Sequence, residues 1–344
     1  MSLQIVNPLE IANWDDLVLA TGQATAFHCS AWARVLNESY GYRPLYFTSF
    51  VEGKISFLMP FMEVNSLLTG KRGVSLPFTD FCDSIAPNEE AFLEGVAAAK
   101  DYGKERGWKK AEWRGNGYFF RGARPAVQYY THALNLNVSE EQILSGFKSN
   151  TRRNIKKASK EGVRVEVVDS PESMAGYYAL HCGTRKDHGL PPQPFSFFER
   201  IFEHLVRPGN GFTVLAYLGD LCIAGAVYLH FGKAAVYKFG ASIREHQHLR
   251  PNNLVMWEAI RECLRRSLRK FSFGRTETDN KGLLQFKRSW NPEEDQVSYH
   301  KYDLNKSSFV EESIGVKGFH NRIFERTPIP VLRFLGSALY RHLG

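Results

Sequence analysis

Cysteine is scarce in this 344-residue chain: five residues, Cys29, Cys82, Cys182, Cys222 and Cys263, stand far apart and never form a C-x-x-C pair. That odd, dispersed set fits neither a disulfide framework nor a zinc cluster, and suits small buried thiols in a reducing compartment. The histidines include no H-E-x-x-H, and His246 with His248 has no neighbouring cysteine or paired carboxylates, so no metal is expected. No apolar run approaches the roughly 18–20 residues of a spanning helix, and the first residues lack the charged and apolar regions of a secretory signal. The expectation is a cytoplasmic protein, with peripheral attachment to the inner face of the membrane left open.

What the chain does contain is an ordinary globular composition, 43% hydrophobic and 23% charged, which excludes wholesale disorder. Its length is about twice that of a typical domain, so two units with separate cores are expected. A net charge of +8 favours an anionic partner: a phosphate-bearing or lipid-linked substrate, tRNA, or an anionic membrane.

The second half has the clearer punctuation. Ser139 with Gln142 forms a capping box that opens a helix running into Lys148–Lys160, and Gly162 closes it. Val163–Val168 alternates as a strand. Helices follow near 172–187 and 195–206, then a three-strand meander from Thr213 to Gly240 with turns at Gly219-Asp220 and Gly232-Lys233. After Pro251, Met256, Trp257, Ile260, Cys263, Leu264 and Leu268 recur at helical spacing. A strand at 271–274, a short helix at 281–290 and a strand at 296–302 complete the order.

The first half repeats part of that order, either as a worn copy of the second half or as an unrelated α/β domain in series: helices near 9–20 and 30–39, a hairpin of 45–51 with 54–64, a helix at 88–106, then strands at 108–113 and 128–136. The strand, helix, helix, meander, helix, strand, helix, strand succession resembles the GNAT (general N-acetyltransferase) fold. The expected fold class is therefore α/β (α+β), two tandem GNAT-like units, each a mixed, mainly antiparallel sheet flanked by helices. The expected boundaries are 1–138 for an acceptor-binding unit, 139–305 for a catalytic unit, and 306–344 for a tail with an amphipathic helix.

Local strings carry a closer resemblance. Ser149–Ala158 (SNTRRNIKKA), Phe273–Thr276 (FGRT), Gly282–Trp290 (GLLQFKRSW), Phe27–Trp32 (FHCSAW) and Ser75–Asp80 (SLPFTD) are similar to the FemAB family of peptidyl and aminoacyl transferases and to related GNAT-like acyltransferases of exopolysaccharide gene sets. The resemblance covers about residues 25–303. It implies transfer of an activated acyl or aminoacyl group onto an amine of a large acceptor, such as a peptidoglycan or other cell-envelope precursor. No tightly bound cofactor is implied; acyl-CoA or aminoacyl-tRNA is the donor co-substrate.

By that resemblance Lys287 steers the anionic donor or the developing oxyanion, since a fixed cation lowers the barrier to amine attack on a carbonyl, and Phe286 shapes the pocket. Arg275, at a strand end, has a guanidinium suited to gripping phosphate or carboxylate; otherwise it pairs with Glu277 or Asp279 on the surface. Tyr237 on the third meander strand either points a hydroxyl into the cleft or serves the sheet. Asp80 takes up the acceptor's proton or holds its ammonium, unless it merely caps a turn. The family further implies acceptor-phosphate contact at Arg185, and a binding position near Trp32, where Arg34 stands in place of a relative's lysine. The Gly-rich R-x-x-G-x-G loop of acetyl-CoA enzymes is absent, but the helix start at Asn252 and Asn253 after Pro251 still offers a place for an anion.

Two further features have alternative uses. Lys148, Arg152, Arg153, Lys156, Lys157 and Lys160, with no acid among them, form a positive helix face that either seats tRNA or a pyrophosphate lipid or is simply solvated. The stripe Leu332, Leu335, Leu339, Leu343 either lies in a membrane interface or docks on its own protein. An acyl-CoA-dependent N-acetyltransferase of a small amine, and a non-catalytic basic RNA- or membrane-binding adaptor, are the rival functions.

Overall fold

The structure is a computed structural model describing residues 2–311 and 319–344. The chain forms two compact units: Met1–Tyr130 with Gln296–Ile314 and Leu339–Gly344, and Thr131–Asp295 with Gly315–Ala338. The chain leaves the first unit at residue 130, inside the strand Val127–Asn135, and not at 138. The stretch expected as a separate tail, 306–344, is divided between the units, and its residues 312–318 lie outside the described residues.

In the first unit Tyr46–Val51 pairs antiparallel with both Gln4–Val6 and Lys54–Met59. A second sheet joins Met62–Ser66 to Gly70–Val74, which runs parallel to Lys110–Arg114, itself antiparallel to residues 299–303. The expected single strand 54–64 is thus two strands in different sheets. Pro60, which has no N–H to give a ladder, marks the break. The core gathers Phe47, Phe57, Phe61, Trp108 and Trp113 under the helix Glu89–Arg106, and the Trp108 indole donates to buried Glu63 Oε2 at 2.7 Å.

In the second unit we number elements from its start: α1 Glu140–Gly146, α2 Ser149–Lys160, β1 Val163–Val168, α3 Pro171–Asp187, α4 Phe195–Ile201, β2 Gly211–Leu218, β3 Leu221–Phe231, β4 Ala234–Ser242, α5 Pro251–Arg265, β5 Lys270–Glu277 and α6 Lys281–Arg288. The sheet order β1-β2-β3-β4-β5 is antiparallel up to β4, and β5 joins it parallel. Period-two alternation divides β2 between faces: Phe212, Val214 and Ala216 enter the core with Trp257 and Ile260 of α5, while Leu215 meets Gly176 of α3.

The helix expected to run from 139 to 160 is broken at Phe147-Lys148, both in extended backbone. The capping box at Ser139 and Gln142 is present. The break follows from tertiary bonds: the Lys148 N–H donates to Ser289 O at 3.1 Å, and the Thr151 hydroxyl donates to Ser289 O at 2.9 Å.

Candidate active site

The second unit opens where β4 and β5 part. Their parallel register covers Ala234–Val236 against Lys270–Ser272 and stops there among the described pairs. Just beyond, β4 carries one extra residue against β3: Tyr228 faces Tyr237 while Val227 faces Phe239, which leaves Lys238 as the bulge. A bulge increases local twist and re-aims the side chains beside it. A cavity of about 440 Å³ lies here, lined by Ala226 and Tyr228 of β3, Tyr237 of β4, Asn252 and Met256 of α5, and Phe286 of α6.

Tyr237 contributes the phenol. Its apolar surroundings push its pKa up to about 12, so the hydroxyl keeps its proton near neutrality. Gly240, two positions past the bulge, makes room for it: a Cβ built there would overlap the Tyr237 hydroxyl. Below lies the start of α5. Arg250 adopts a left-handed backbone (φ 64°), Pro251 takes the first helical position, and no side chain caps the end. The positive end of a 15-residue helix therefore abuts the cavity. Ser242 Oγ accepts from Asn252 Nδ2 at 3.1 Å and from Gln247 Nε2 at 3.2 Å, fixing the Asn252 amide; Asn253 also lines the cavity.

Phe286 forms a wall, edge-on to Trp290 at 5.9 Å between ring centres. Lys287 is placed differently from its neighbour. It is buried, and its Nζ donates to Gly274 O at 3.2 Å and Arg275 O at 2.9 Å. Gly274 has φ 67°, a conformation glycine adopts freely, and its N–H donates to Ser272 Oγ. The ammonium thus pins β5 at a kink where it has left β4. Arg275, next in the strand, is half-buried.

A histidine that the sequence did not bring forward stands nearby. His132 Nε2 is 2.8 Å from Glu294 Oε2, and Arg288 grips Glu294 with Nε at 2.5 Å and Nη2 at 2.8 Å. Burial lowers the His132 pKa against the pull of Glu294, and the charge of Lys287 lowers it further. The Arg288 bonds hold the Glu294 carboxyl down at about 2. Nothing in the sequence links positions 132 and 294, so only the fold reveals the pair.

The other second-unit residues separate. Arg185 Nε donates to Pro191 O at 3.3 Å, and its charge joins burial in lowering the His181 pKa to about 3. On α2, Thr151, Ile155 and Ala158 are buried while Arg153, Lys156, Lys157 and Lys160 are exposed, so the positive face exists. The stripe is taken up by its own protein only in part: Leu332, on the helix Ile329–Leu339, is fully buried and Gly336 approaches Pro192 O so closely that a Cβ would not fit, while Leu335 and Leu339 are half-buried and Leu343 is exposed. Phe334 and Val331 are exposed as well.

In the first unit the Ser75–Asp80 string folds as a strained loop. Leu76 (φ 52°) and Phe78 (φ 61°) flank Pro77 in the left-handed region, which side chains with a Cβ seldom occupy. Leu76 O accepts from Thr79 Oγ1 at 2.6 Å and from Arg114 Nη1 at 3.2 Å; Asp80 O accepts from the Tyr299 hydroxyl at 2.6 Å. Arg114 and Lys301 hold the Glu112 carboxyl beneath at about 2 despite its burial. Asp80 is half-buried at the end of this loop. Trp32 is fully buried, edge-on to Phe27 at 5.4 Å, so it offers no surface to a substrate and serves the core; Arg34 is half-buried.

The residues that carry this divergent β4/β5 pair, β-bulge and uncapped helix start lie within 145–288, which match the acetyltransferase (GNAT) domain family. Over most of its length the chain shares the tandem GNAT fold of solved structures. It is similar to the crystal structure of FemX, at 14% identity over 89% of this chain and 98% of that one, with a TM-score of 0.69. It is also similar to a tandem GNAT protein from the clavulanic acid biosynthesis pathway (11%, 88% and 98%, TM-score 0.57). A third likeness is to the C-terminal domain of a candidate lysylphosphatidylglycerol synthetase from Agrobacterium fabrum (14%, 84% and 91%, TM-score 0.55). No curated protein matches the sequence. Among the described residues no cluster of His, Cys, Asp and Glu is arranged to hold a metal ion, and no helix is long and apolar enough to cross a membrane.

Proposed function

We propose that this chain is an N-acyl- or aminoacyltransferase that moves an activated aminoacyl group onto an amine of a cell-envelope precursor or polysaccharide. The observation that carries the reading is the cavity beside the β4 bulge, where a protonated phenol and a helix N-terminus face one space.

The amine nitrogen attacks the donor's ester carbonyl, a C–N bond forms, negative charge gathers on the carbonyl oxygen, and the C–O bond to the donor then breaks. Tyr237, still protonated, gives its proton to the departing oxygen or donates a hydrogen bond to the oxyanion. Asn252, Asn253 and the start of α5 hold the anionic part of the donor, Phe286 walls the site, and Arg275 is its further anion contact. Lys287 acts as a positioning residue, keeping β5 kinked away from β4. In the first unit Asp80 takes the acceptor's proton, with Arg34 on the acceptor side; Arg185 contacts acceptor phosphate. Orientation of the two substrates supplies much of the rate.

Aminoacyl-tRNA is favoured over acyl-CoA because the glycine-rich loop is missing and Pro251 removes one N–H from the helix start. The uncapped α5 terminus supports the second reading, acyl-CoA transfer. The test is incubation of the purified chain with radiolabelled aminoacyl-tRNA or acetyl-CoA and a panel of amine acceptors. Label should pass from aminoacyl-tRNA, and Y237F should lower kcat at least tenfold with KM little changed. Transfer from acetyl-CoA alone would select the second reading, and no transfer from either would overturn both.

A further inference from the structure

We propose that the hairpin tip at Leu67-Leu68 in the first unit docks this protein on an anionic lipid bilayer. The turn joins the strands Met62–Ser66 and Gly70–Val74, and both leucines point outward: Leu67 is 99% exposed and Leu68 67%. Two adjacent leucines in water at the end of a projecting hairpin contribute nothing to the fold that displays them.

The tip is nonetheless held in shape. Ser66 Oγ accepts from the N–H groups of Leu68 (3.2 Å) and Thr69 (2.9 Å) and lies 3.1 Å from His342 Nδ1. Thr69 Oγ1 donates to His342 O, and Arg72 Nε donates to Gly344 O at 2.8 Å, tying the chain's last residues to the hairpin base. Leu343, beside His342, is 57% exposed and adds a third apolar side chain. Insertion therefore needs little further ordering of the turn.

Charge selects the occupant. The strand Gly70–Val74 runs beside Lys110–Arg114, and the Lys109 N–H donates to Lys71 O while its side chain lies against Gly70. Residues 65–72, 107–110 and 339–344 together carry Lys71, Arg72, Lys109, Lys110, Arg341 and His342 and not one acid. A narrow apolar point within a basic collar is too small for the roughly 800 Å² per partner of a stable protein interface. It suits the boundary between headgroups and acyl chains, where leucines are buried and basic side chains meet anionic lipid. The proposal does not rest on the transferase reading, because its test measures binding and not turnover.

The experiment is flotation of the full chain with vesicles of mixed phosphatidylglycerol and phosphatidylcholine, against vesicles of phosphatidylcholine alone. Binding should require the anionic lipid, weaken as salt is raised, and fall about tenfold or more in L67D/L68D, with thermal unfolding unchanged because both side chains are exposed. L67S/L68S repeats the test without added charge. In L67W, tryptophan emission should shift to the blue on anionic vesicles, reporting entry of the tip itself. The proposal is overturned if the full chain does not float, if the double variants bind as well as the parent, or if light scattering shows that Leu67 and Leu68 instead join two copies. Binding that only tRNA competes away, with no blue shift, would equally refute it.

Discussion

At the scale of single residues, the site depends on two close fits. Gly240 leaves space for the Tyr237 hydroxyl, so G240A should destabilise the fold by about 1–3 kcal/mol, as overpacking does, and lower activity together with stability. Much of that loss should return in Y237F/G240A, where the offending oxygen is gone; strictly additive thermal shifts in the double-mutant cycle would refute the fit. Lys287 is the other case. Its removal leaves two main-chain carbonyls without their donor, and an unsatisfied buried group costs about 1–3 kcal/mol. K287A should therefore lower the melting temperature and kcat together. A fall in kcat with unchanged stability would mean that the ammonium acts on the substrate directly. The sequence marked Tyr237, Phe286 and Lys287 but not the difference between them: consecutive positions on α6 face different surroundings, one the cavity and the other the strand carbonyls.

At the scale of elements, local signals and tertiary bonds share control. Ser139 and Gln142 announce the start of α1, and the reciprocal capping bonds form; S139A should cost about 1 kcal/mol by chemical denaturation. The end of α1 was not legible, because Ser289, more than a hundred residues away, draws the chain out of helix at Lys148. The β4 bulge is of the same kind. Deleting Lys238 would move the residues beyond it to the opposite face of the sheet, since side chains alternate with period two. The deletion variant should keep its strand content by circular dichroism and lose transfer activity by at least tenfold. Retained activity would separate the bulge from the site.

At the scale of the molecule, buried histidines make stability depend on pH. His28 in the first unit is lowered by burial from 6.5 to about 4, and His181 in the second to about 3. His28 accepts from the Thr25 N–H on Nδ1 and reaches Asp83 O with Nε2, a pattern that suits the neutral ring. Depressed pKa values mean that the unfolded chain binds more protons below pH 6.5. Stability is therefore full above that value and is lost as pH falls toward 4 and then 3, by on the order of 3 kcal/mol for His28 alone. Melting temperature followed from pH 8 to pH 4 should drop steadily below about 6.5, and the drop should be shallower in H28Q. A flat profile would contradict the burial of both rings as neutral groups.

Sequence by itself determined the two-unit organisation, the order of strands and helices in the second half and the basic face of α2, because periodicity, caps and turns are written in neighbouring residues. Tertiary structure decided the rest. It split the 54–64 strand at Pro60, set Trp32 in the core, bent Leu76 and Phe78 into a strained loop, paired His132 with Glu294, and turned Lys287 toward main-chain carbonyls. Each of these depends on which atoms meet across long stretches of chain, and sequence spacing along one element carries no information about partners that only folding brings near.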